Sequence, residues 1–382
     1  MKVLHVITSL QGNGAEGALY RLCVADVATD HTVFSLMDEG VYGPKLTEAG
    51  VKVRCAGMPR GRLTLAGLFR LWRTIREVQP DVIQTWMYHA DFLGGLAAWM
   101  AGNRRVVWGI RNTELDKEKS GRSTVWVAWL CARLSGFIPA RIAVCARAAE
   151  RVHAELGYSV EKMTVIPNGY DLGRFRPEAE ARQRVLAELS LPEDRPLLGM
   201  IARFDPFKDH GNLLSALALL VARGIRFHCL LVGEGLEPGN RALDELLSDK
   251  GLYDYVSLLG RRDDVPAIMS ALDVHVLSSS SEAFPNVVAE AMACGTPCVC
   301  TDVGDAANII GDTGWLAPPS QPEALSTALL AALDELRDSA SWGARQQRAR
   351  ARIERYFGME AMVCAYRQLW AEVDNKKRVD YL

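Results

Sequence analysis

The chain reads as α/β, with two doubly wound parallel-sheet domains in succession. Three observations predict this. Short apolar runs of the buried-strand type alternate with helical patterns along the chain, as in KVLHVITSL followed by QGNGAEGAL. At 382 residues the chain is long for one core and suits two. A charged run from Pro177 to Arg195 stands between the halves.

Composition narrows the class. Hydrophobic residues at 49% and charged ones at 24% are those of a globular protein rather than a disordered or fibrous one. No apolar run is long enough to span a bilayer, and MKVLHVITSL is too short and strand-like for a signal peptide. Nine cysteines without framework spacing argue for a reducing compartment, so the cytoplasm is expected. Cys294, Cys298 and Cys300 lie close together, but the last two flank Val299 on an apolar strand and read as core thiols rather than zinc ligands. Residues 1–170 carry 21 Lys+Arg against 15 Asp+Glu, the remainder 23 against 31. A basic first half suits an anionic acceptor or an anionic inner membrane surface touched peripherally; it is too modest for nucleic acid.

Taken in order, Lys2 to Leu10 is a buried strand running into a glycine-rich loop. Gly12-x-Gly14-x-x-Gly17 fits the dinucleotide fingerprint, with Asp38 about 20 residues on. Thr8 to Gln11, however, lengthen the turn before the first glycine. Thr64 to Val78 places Leu65, Leu68, Phe69, Leu71, Trp72 and Ile75 on an apolar face with Arg70, Arg73 and Arg76 outside it. That is a helix packed on the sheet or a helix lying on a membrane surface, and Ser123 to Phe137, with Trp126, Trp129, Arg133 and Phe137, is a second such candidate. Pro80 to Gly95 is strand, loop and helix, with His89 at the strand's C-terminal end; His275, inside DVHVL, reads as a satisfied core residue.

Pro167-Asn168-Gly169 is a turn signal. Pro196 to Leu217 then gives a strand ending at Arg203 and a helix starting after Lys208. An Arg fork and a Lys point charge at a strand end suit phosphate. FHCLLVGEG ends a strand at Gly233, YVSLLGRRDD carries Gly260 and Arg261, and YFGMEAMVCAYRQLW reads as a terminal amphipathic helix.

The most informative stretch runs from Ser279 to Asp305. A buried strand enters a loop, and Pro285, suited to a first helical position, announces a helix. The amides of Asn286, Val287 and Val288 would then face an anion at the helix N-terminus. Glu282 precedes the break and Glu290 lies a turn inside the helix. Carboxylates accept hydrogen bonds only, so beside phosphate-binding amides they suit ribose or sugar hydroxyls. The residues alone indicate a site for a nucleotide or phosphorylated sugar.

Glu282-x7-Glu290 with Phe284-Pro285-Asn286 inside it, followed by Ala293-Cys294-Gly295-Thr296-Pro297 and Thr301-Asp302-Val303-Gly304, resembles the donor-binding signature of family 4 of the retaining glycosyltransferases. The loop Gly12-Asn13-Gly14-Ala15-Glu16 is similar to that family's N-terminal glycine-rich loop, and the resemblance covers most of the chain. It implies a GT-B fold, in which two Rossmann-like domains face a central cleft. The expected domains are 1–170, on the acceptor side, joined by a returning 358–382, and 171–357, binding the donor. The resemblance implies Arg203 and Lys208 on the donor diphosphate, Glu290 on the ribose, Glu282 and His89 on the donor sugar, and donor contacts from Gly12, Gly14, Phe284, Asn286, Gly260 and Arg261. The implied reaction moves a sugar from a nucleotide diphosphate sugar to a saccharide or lipid-linked acceptor, as in bacterial surface-polysaccharide synthesis. No cofactor or metal is expected, since a suitable D-x-D motif is missing. A nucleotide-sugar 2-epimerase of the same fold, a nicotinamide dehydrogenase and a non-catalytic sugar-nucleotide-binding subunit are the rival readings.

Overall fold

The computed structural model describes residues 1–12, 14–59, 63–112, 122–282 and 284–379, without the side chains of 122 and 376–379. It divides into two compact units, Met1–Gly169 with Met359–Leu382, and Tyr170–Gly358.

The first unit holds strands β1 (Lys2–Ile7), β2 (Asp30–Ser35), β3 (Lys52–Cys55), β4 (Val82–Trp86), β5 (Val106–Ile110), β6 (Arg141–Val144) and β7 (Met163–Val165). They form one parallel sheet in the order β3-β2-β1-β4-β5-β6-β7. The second holds β8 (Leu197–Ile201), β9 (His228–Val232), β10 (Val256–Gly260), β11 (Val274–Leu277), β12 (Cys298–Thr301) and β13 (Trp315–Ala317), again all parallel, in the order β10-β9-β8-β11-β12-β13. Parallel strands require crossovers, and these are helical, which buries the sheets on both faces. That is why β4, β5, β8 and β9 are buried at every residue, with the polar Gln84 and Thr85 of β4 hydrogen-bonded inside the protein. The strand order reverses between β1 and β4 and between β8 and β11. In doubly wound sheets ligands bind outside the C-terminal strand ends at such reversals.

The terminal helix, Met359–Val379, returns to the first unit. Met362, Val363, Tyr366, Leu369, Trp370 and Val373 enter its core beside Val3, Ile7 and Trp86. Trp370 Nε1 donates to Gln84 Oε1 on β4 at 3.1 Å. Arg367 pairs with the buried Asp26, and Arg105 with Asp374 at 2.7 Å. The apolar stretch from Tyr356 to Trp370 is not one helix. Helix Ser339–Tyr356 ends first, and Gly358 bridges Tyr170 before the next begins. The charged run from Pro177 to Arg195 is likewise more than a separator. It contains helix Ala181–Glu188, and Arg182 is bound to Asp273 at 2.8 Å.

His5, Cys23 and His31 bring their ligand atoms within 4.8 Å of one another inside the first unit. Hydrogen bonds already use all four ring nitrogens. Trp86 Nε1 donates to His5 Nδ1 at 3.1 Å, His5 Nε2 meets His31 Nδ1 at 2.9 Å, and His31 Nε2 meets the Asp26 carbonyl at 3.2 Å. The cluster is a polar chain through the core, satisfied without a metal.

His275 is in the core but not satisfied. It is fully buried on β11, and neither ring nitrogen has a hydrogen-bond partner among the described residues. Burial lowers its pKa to about 3, and those of His153 and His210 to about 4. A histidine depressed on folding contributes stability that is full above its unfolded value of 6.5 and is lost as pH falls towards the folded value. Urea unfolding should therefore show a free energy that falls from pH 7 to 5, approaching a slope of roughly 1.4 kcal/mol per pH unit for each such histidine below about pH 6.5; His275→Leu should remove one histidine's share of that slope.

Candidate functional site

The second unit places the predicted charges at its strand reversal. β8 ends before Arg203, and the backbone exit there is held against β9: Ala202 N–H donates to Val232 O at 2.9 Å and Phe204 N–H to Glu234 O at 2.7 Å. Gly233 makes this approach possible. Its φ is 149°, and a Cβ would lie 2.0 Å from the Ala202 carbonyl oxygen. Arg203 stays largely exposed, its Nε donating to Asp205 Oδ2 at 3.1 Å.

Lys208 is positioned by two aspartates. Asp205 caps the 3-10 turn Pro206–Lys208 by accepting from Phe207 N–H at 2.9 Å. Asp209, left-handed at φ 49°, caps helix His210–Ala222 by accepting from Asn212 N–H at 3.1 Å. Between them Lys208 Nζ reaches Glu282 Oε1 at 2.5 Å, with 24% and 13% of the side chains exposed. Ser279 Oγ donates to the same carboxylate oxygen at 2.8 Å, and Thr301 Oγ1 to the Ser279 carbonyl at 2.7 Å. The sequence places Thr301 inside the donor-binding signature and Ser279 at the head of that stretch, but it assigns no role to Ser279, Asp205 or Asp209. The D-P-x-K-D pattern could have marked the two caps, since Asp before Pro commonly accepts from the backbone two residues on.

Pro285 is the N-cap of helix Asn286–Ala293, one position earlier than expected. The helix shows one half-buried stripe, Asn286, Val287 and Glu290, while Val288 and Ala289 are buried. That spacing puts Glu290 a turn behind the first two on one face. Asn286 Oδ1 accepts from Tyr170 O–H at 2.6 Å. The Val288 amide already donates to the Pro285 carbonyl at 3.1 Å, so it would have to share its hydrogen with any anion. Phe284 departs from expectation more clearly. Its ring is 6% exposed and packs on Tyr170 and Phe357, with centroids 6.5 and 6.0 Å away, which makes it an anchor for the loop rather than a ligand contact. The Gly260 backbone is committed too: its carbonyl accepts from Gly233 N–H at 2.8 Å and its N–H donates to Leu236 O at 3.0 Å. Arg261 is exposed, while Arg262 forks onto Glu188 and Asp264.

The first unit places His89 and the glycine-rich loop at the ends of β4 and β1, on either side of its own reversal. His89 is half-buried, and desolvation lowers its pKa, so the imidazole is neutral at pH 7. Gly12 is exposed and Gly14 opens helix Gly14–Ala25; Asn13 lies outside the described residues. Glu16 is 6% exposed and accepts from Ser9 Oγ at 3.0 Å. Asp38, the acid a dinucleotide reading would put on a ribose, accepts from Gln11 Nε2 at 3.0 Å.

Residues 12–174 match the family model described as Glycosyltransferase Family 4, and residues 195–335 the one described as Glycosyl transferases group 1. The putative glycosyltransferase EpsF of Bacillus subtilis is 36% identical over 309 residues, which cover 79% of each chain. This chain belongs to glycosyltransferase family 4. Another relative of this glycosyltransferase, at 26% identity over 63% of this chain and 62% of its own, is the UDP-Gal:alpha-D-GlcNAc-diphosphoundecaprenol alpha-1,3-galactosyltransferase of Escherichia coli. Among solved structures, Anabaena HepE in complex with UDP superposes with a TM-score of 0.85 over 97% of this chain and all of the other, at 22% identity. The fold of the glycosyltransferase is therefore GT-B, with two Rossmann-like units.

Gly233→Ala should cost about 2 kcal/mol or more in chemical denaturation, because the close approach of β8 and β9 leaves no room for a methyl group. An unchanged midpoint would mean that the Arg203 exit is not so constrained.

Proposed function

We propose that this glycosyltransferase moves a sugar, with retention at the anomeric carbon, from a nucleotide diphosphate sugar to a saccharide or lipid-linked saccharide acceptor in bacterial surface-polysaccharide synthesis. The observation that carries the reading is the contact of Lys208 with Glu282 at the β8/β11 reversal, with Arg203 just past the end of β8 and Glu290 a turn into the helix that follows β11. Substrate class is supported by the relatives: HepE binds UDP and UDP-glucose, and the Escherichia coli relative acts on a diphosphoundecaprenol-linked sugar.

As the glycosidic bond breaks, negative charge grows on the leaving diphosphate. Arg203 and Lys208 stabilise it as preorganised donors. An ammonium has three N–H groups, so Lys208 can keep its bond to Glu282 while donating to phosphate. Glu282, held by Lys208 and Ser279, orients a hydroxyl of the donor sugar, and Glu290 accepts from the ribose. The acceptor oxygen attacks from the face the diphosphate leaves, and its proton passes to the departing phosphate oxygen. No carboxylate on the opposite face is then needed as nucleophile. His89 and the Gly12–Glu16 loop are the first unit's contribution, and two cationic side chains supply the positive charge that a metal would otherwise bring.

UDP, GDP, their glucose conjugates and NAD should be compared for thermal stabilisation of wild type and Glu290→Ala. One nucleotide family at a hundredfold excess over its Kd should stabilise the wild type by about 2.7 kcal/mol and the variant far less. Stabilisation by NAD alone, or by none, overturns the reading.

The reading includes peripheral contact with an anionic membrane. No helix among the described residues is long and apolar enough to cross one. Helices Leu65–Val78, Tyr88–Met100 and Arg122–Leu134 pack side by side. The apolar face of the first is divided, with Leu71 and Ile75 buried while Leu65 and Phe69 are exposed. Its neighbours expose Trp99, Met100, Trp126 and Trp129, with Arg104 over Trp99 at 3.6 Å and Arg133 over Trp129 at 5.1 Å. Aromatic rings under guanidinium groups suit a headgroup layer. The protein should sediment with phosphatidylglycerol vesicles and not with phosphatidylcholine, and Phe69→Ser with Trp126→Ser should cut that binding several-fold; equal sedimentation with both lipids counts against it.

A further inference from the structure

At the end of β4 the backbone takes a conformation its residue type opposes. Met87 has φ 76° and ψ 153°. For a residue with a side chain this is a strained conformation, and it persists only where the surroundings over-determine it. Three hydrogen bonds do so, and they close into a ring. Met87 N–H donates to Gly109 O at 2.8 Å, Gly109 N–H donates to Asp91 Oδ1 at 3.1 Å, and Asp91 N–H donates to Met87 O at 2.9 Å. Thr85 Oγ1 donates to the same Asp91 oxygen at 2.5 Å. Gly109 sits so close to β4 that a Cβ would lie 2.3 Å from the Thr85 carbonyl oxygen. The end of β4, the end of β5 and the first turn of helix Tyr88–Met100 thus meet on one carboxyl group.

That group is fully buried, and its Oδ2 has no hydrogen-bond partner among the described residues. The titratable groups facing it are Tyr88 on its own helix, Cys131 on helix Arg122–Leu134 and Tyr158 beyond helix Arg147–Leu156. Burial raises the pKa of all three, so they are neutral, and Tyr88 O–H lies 2.8 Å from His153 Nε2, itself neutral at pH 7. No cation compensates a charge at this position among the described residues.

We propose that Asp91 is a positioning residue of the glycosyl-transfer site: its carboxyl group clamps β4 to β5, holds Met87 in its strained backbone, and so sets where His89 is presented. The proposal rests on the reading of His89 as a site residue. Desolvation pushes the Asp91 carboxyl up to about 8, against 3.8 for a free one. A carboxyl raised on folding contributes stability that is complete below the unfolded value and is lost as pH rises through the folded one. Above pH 8 a charge forms inside the clamp: Gly109 N–H and Thr85 O–H favour it and burial opposes it, so the balance of forces on the clamp changes there. Asp91→Asn keeps an oxygen that accepts from Gly109 N–H and Thr85 O–H, and it has no charge to form.

The test follows His89 by NMR, its imidazole signals assigned by their loss in His89→Gln. The wild-type signals should show a step between pH 7 and 9, above His89's own titration, and Asp91→Asn should lack it. At pH 7 Asp91→Ala should displace the His89 signals and lower Tm. Adding Met87→Gly, which adopts φ 76° without strain, should recover at least half of both effects. A step that persists in Asp91→Asn overturns the proposal, as does Met87→Gly failing to offset Asp91→Ala. If Asp91→Ala does not fold, the isosteric Asp91→Asn still decides. Should the NMR results hold while His89→Gln leaves sugar transfer unchanged, the role of His89 is refuted and the clamp stands.

Discussion

Both units obey one constraint: a parallel sheet covered on both faces can expose its chemistry only at strand ends. The interior strands are buried almost throughout, so no catalytic side chain can be carried mid-strand without being entombed, as His275 is. Arg203, Lys208, Glu282, His89 and the glycine-rich loop all lie just past the C-terminal ends of β8, β11, β4 and β1. Each of those four strands borders a reversal of strand order, where adjacent crossovers depart to opposite faces and leave a space between them. The grouping of these predicted residues follows from that topology more than from their places in the chain, where Lys208 and Glu282 are 74 residues apart.

How far this could be read in advance depended on whether a side chain's role is local. Strand and helix alternation is local, and the two sheets follow from it. The charges at strand ends were legible because Arg, Lys and Glu just beyond apolar runs have little structural reason to be there. What escaped notice was set by contacts distant in sequence. Phe284 looks like a ligand contact inside its motif, yet Tyr170 and Phe357 take its ring into the core. The direct bond between Lys208 and Glu282 depends on how two capping aspartates turn the chain between strand and helix. Nothing in QTWMYHAD taken alone signals a left-handed Met87; Asp91 lies within that stretch, but its partner Gly109 sits on β5.

The charged half-site is also restrained by its own hydrogen bonds. Glu282 is mostly buried, and an unpaired carboxylate there would be costly. Lys208 and Ser279 prevent that, and in doing so they fix the carboxylate's orientation. The ion pair therefore contributes geometry rather than stability.

The last helix carries a different consequence. Trp370, Tyr366 and Arg367 complete the core of the first unit, yet they are made after the whole of the second. During synthesis the N-terminal sheet must wait on the ribosome with Trp86 and Gln84 uncovered while some 190 residues of the other unit, Tyr170–Gly358, emerge. Vectorial folding, in which each domain finishes before the next begins, is closed to this chain. Its first unit is the last to mature, and a product interrupted anywhere before Met359 leaves an apolar groove for chaperones to guard.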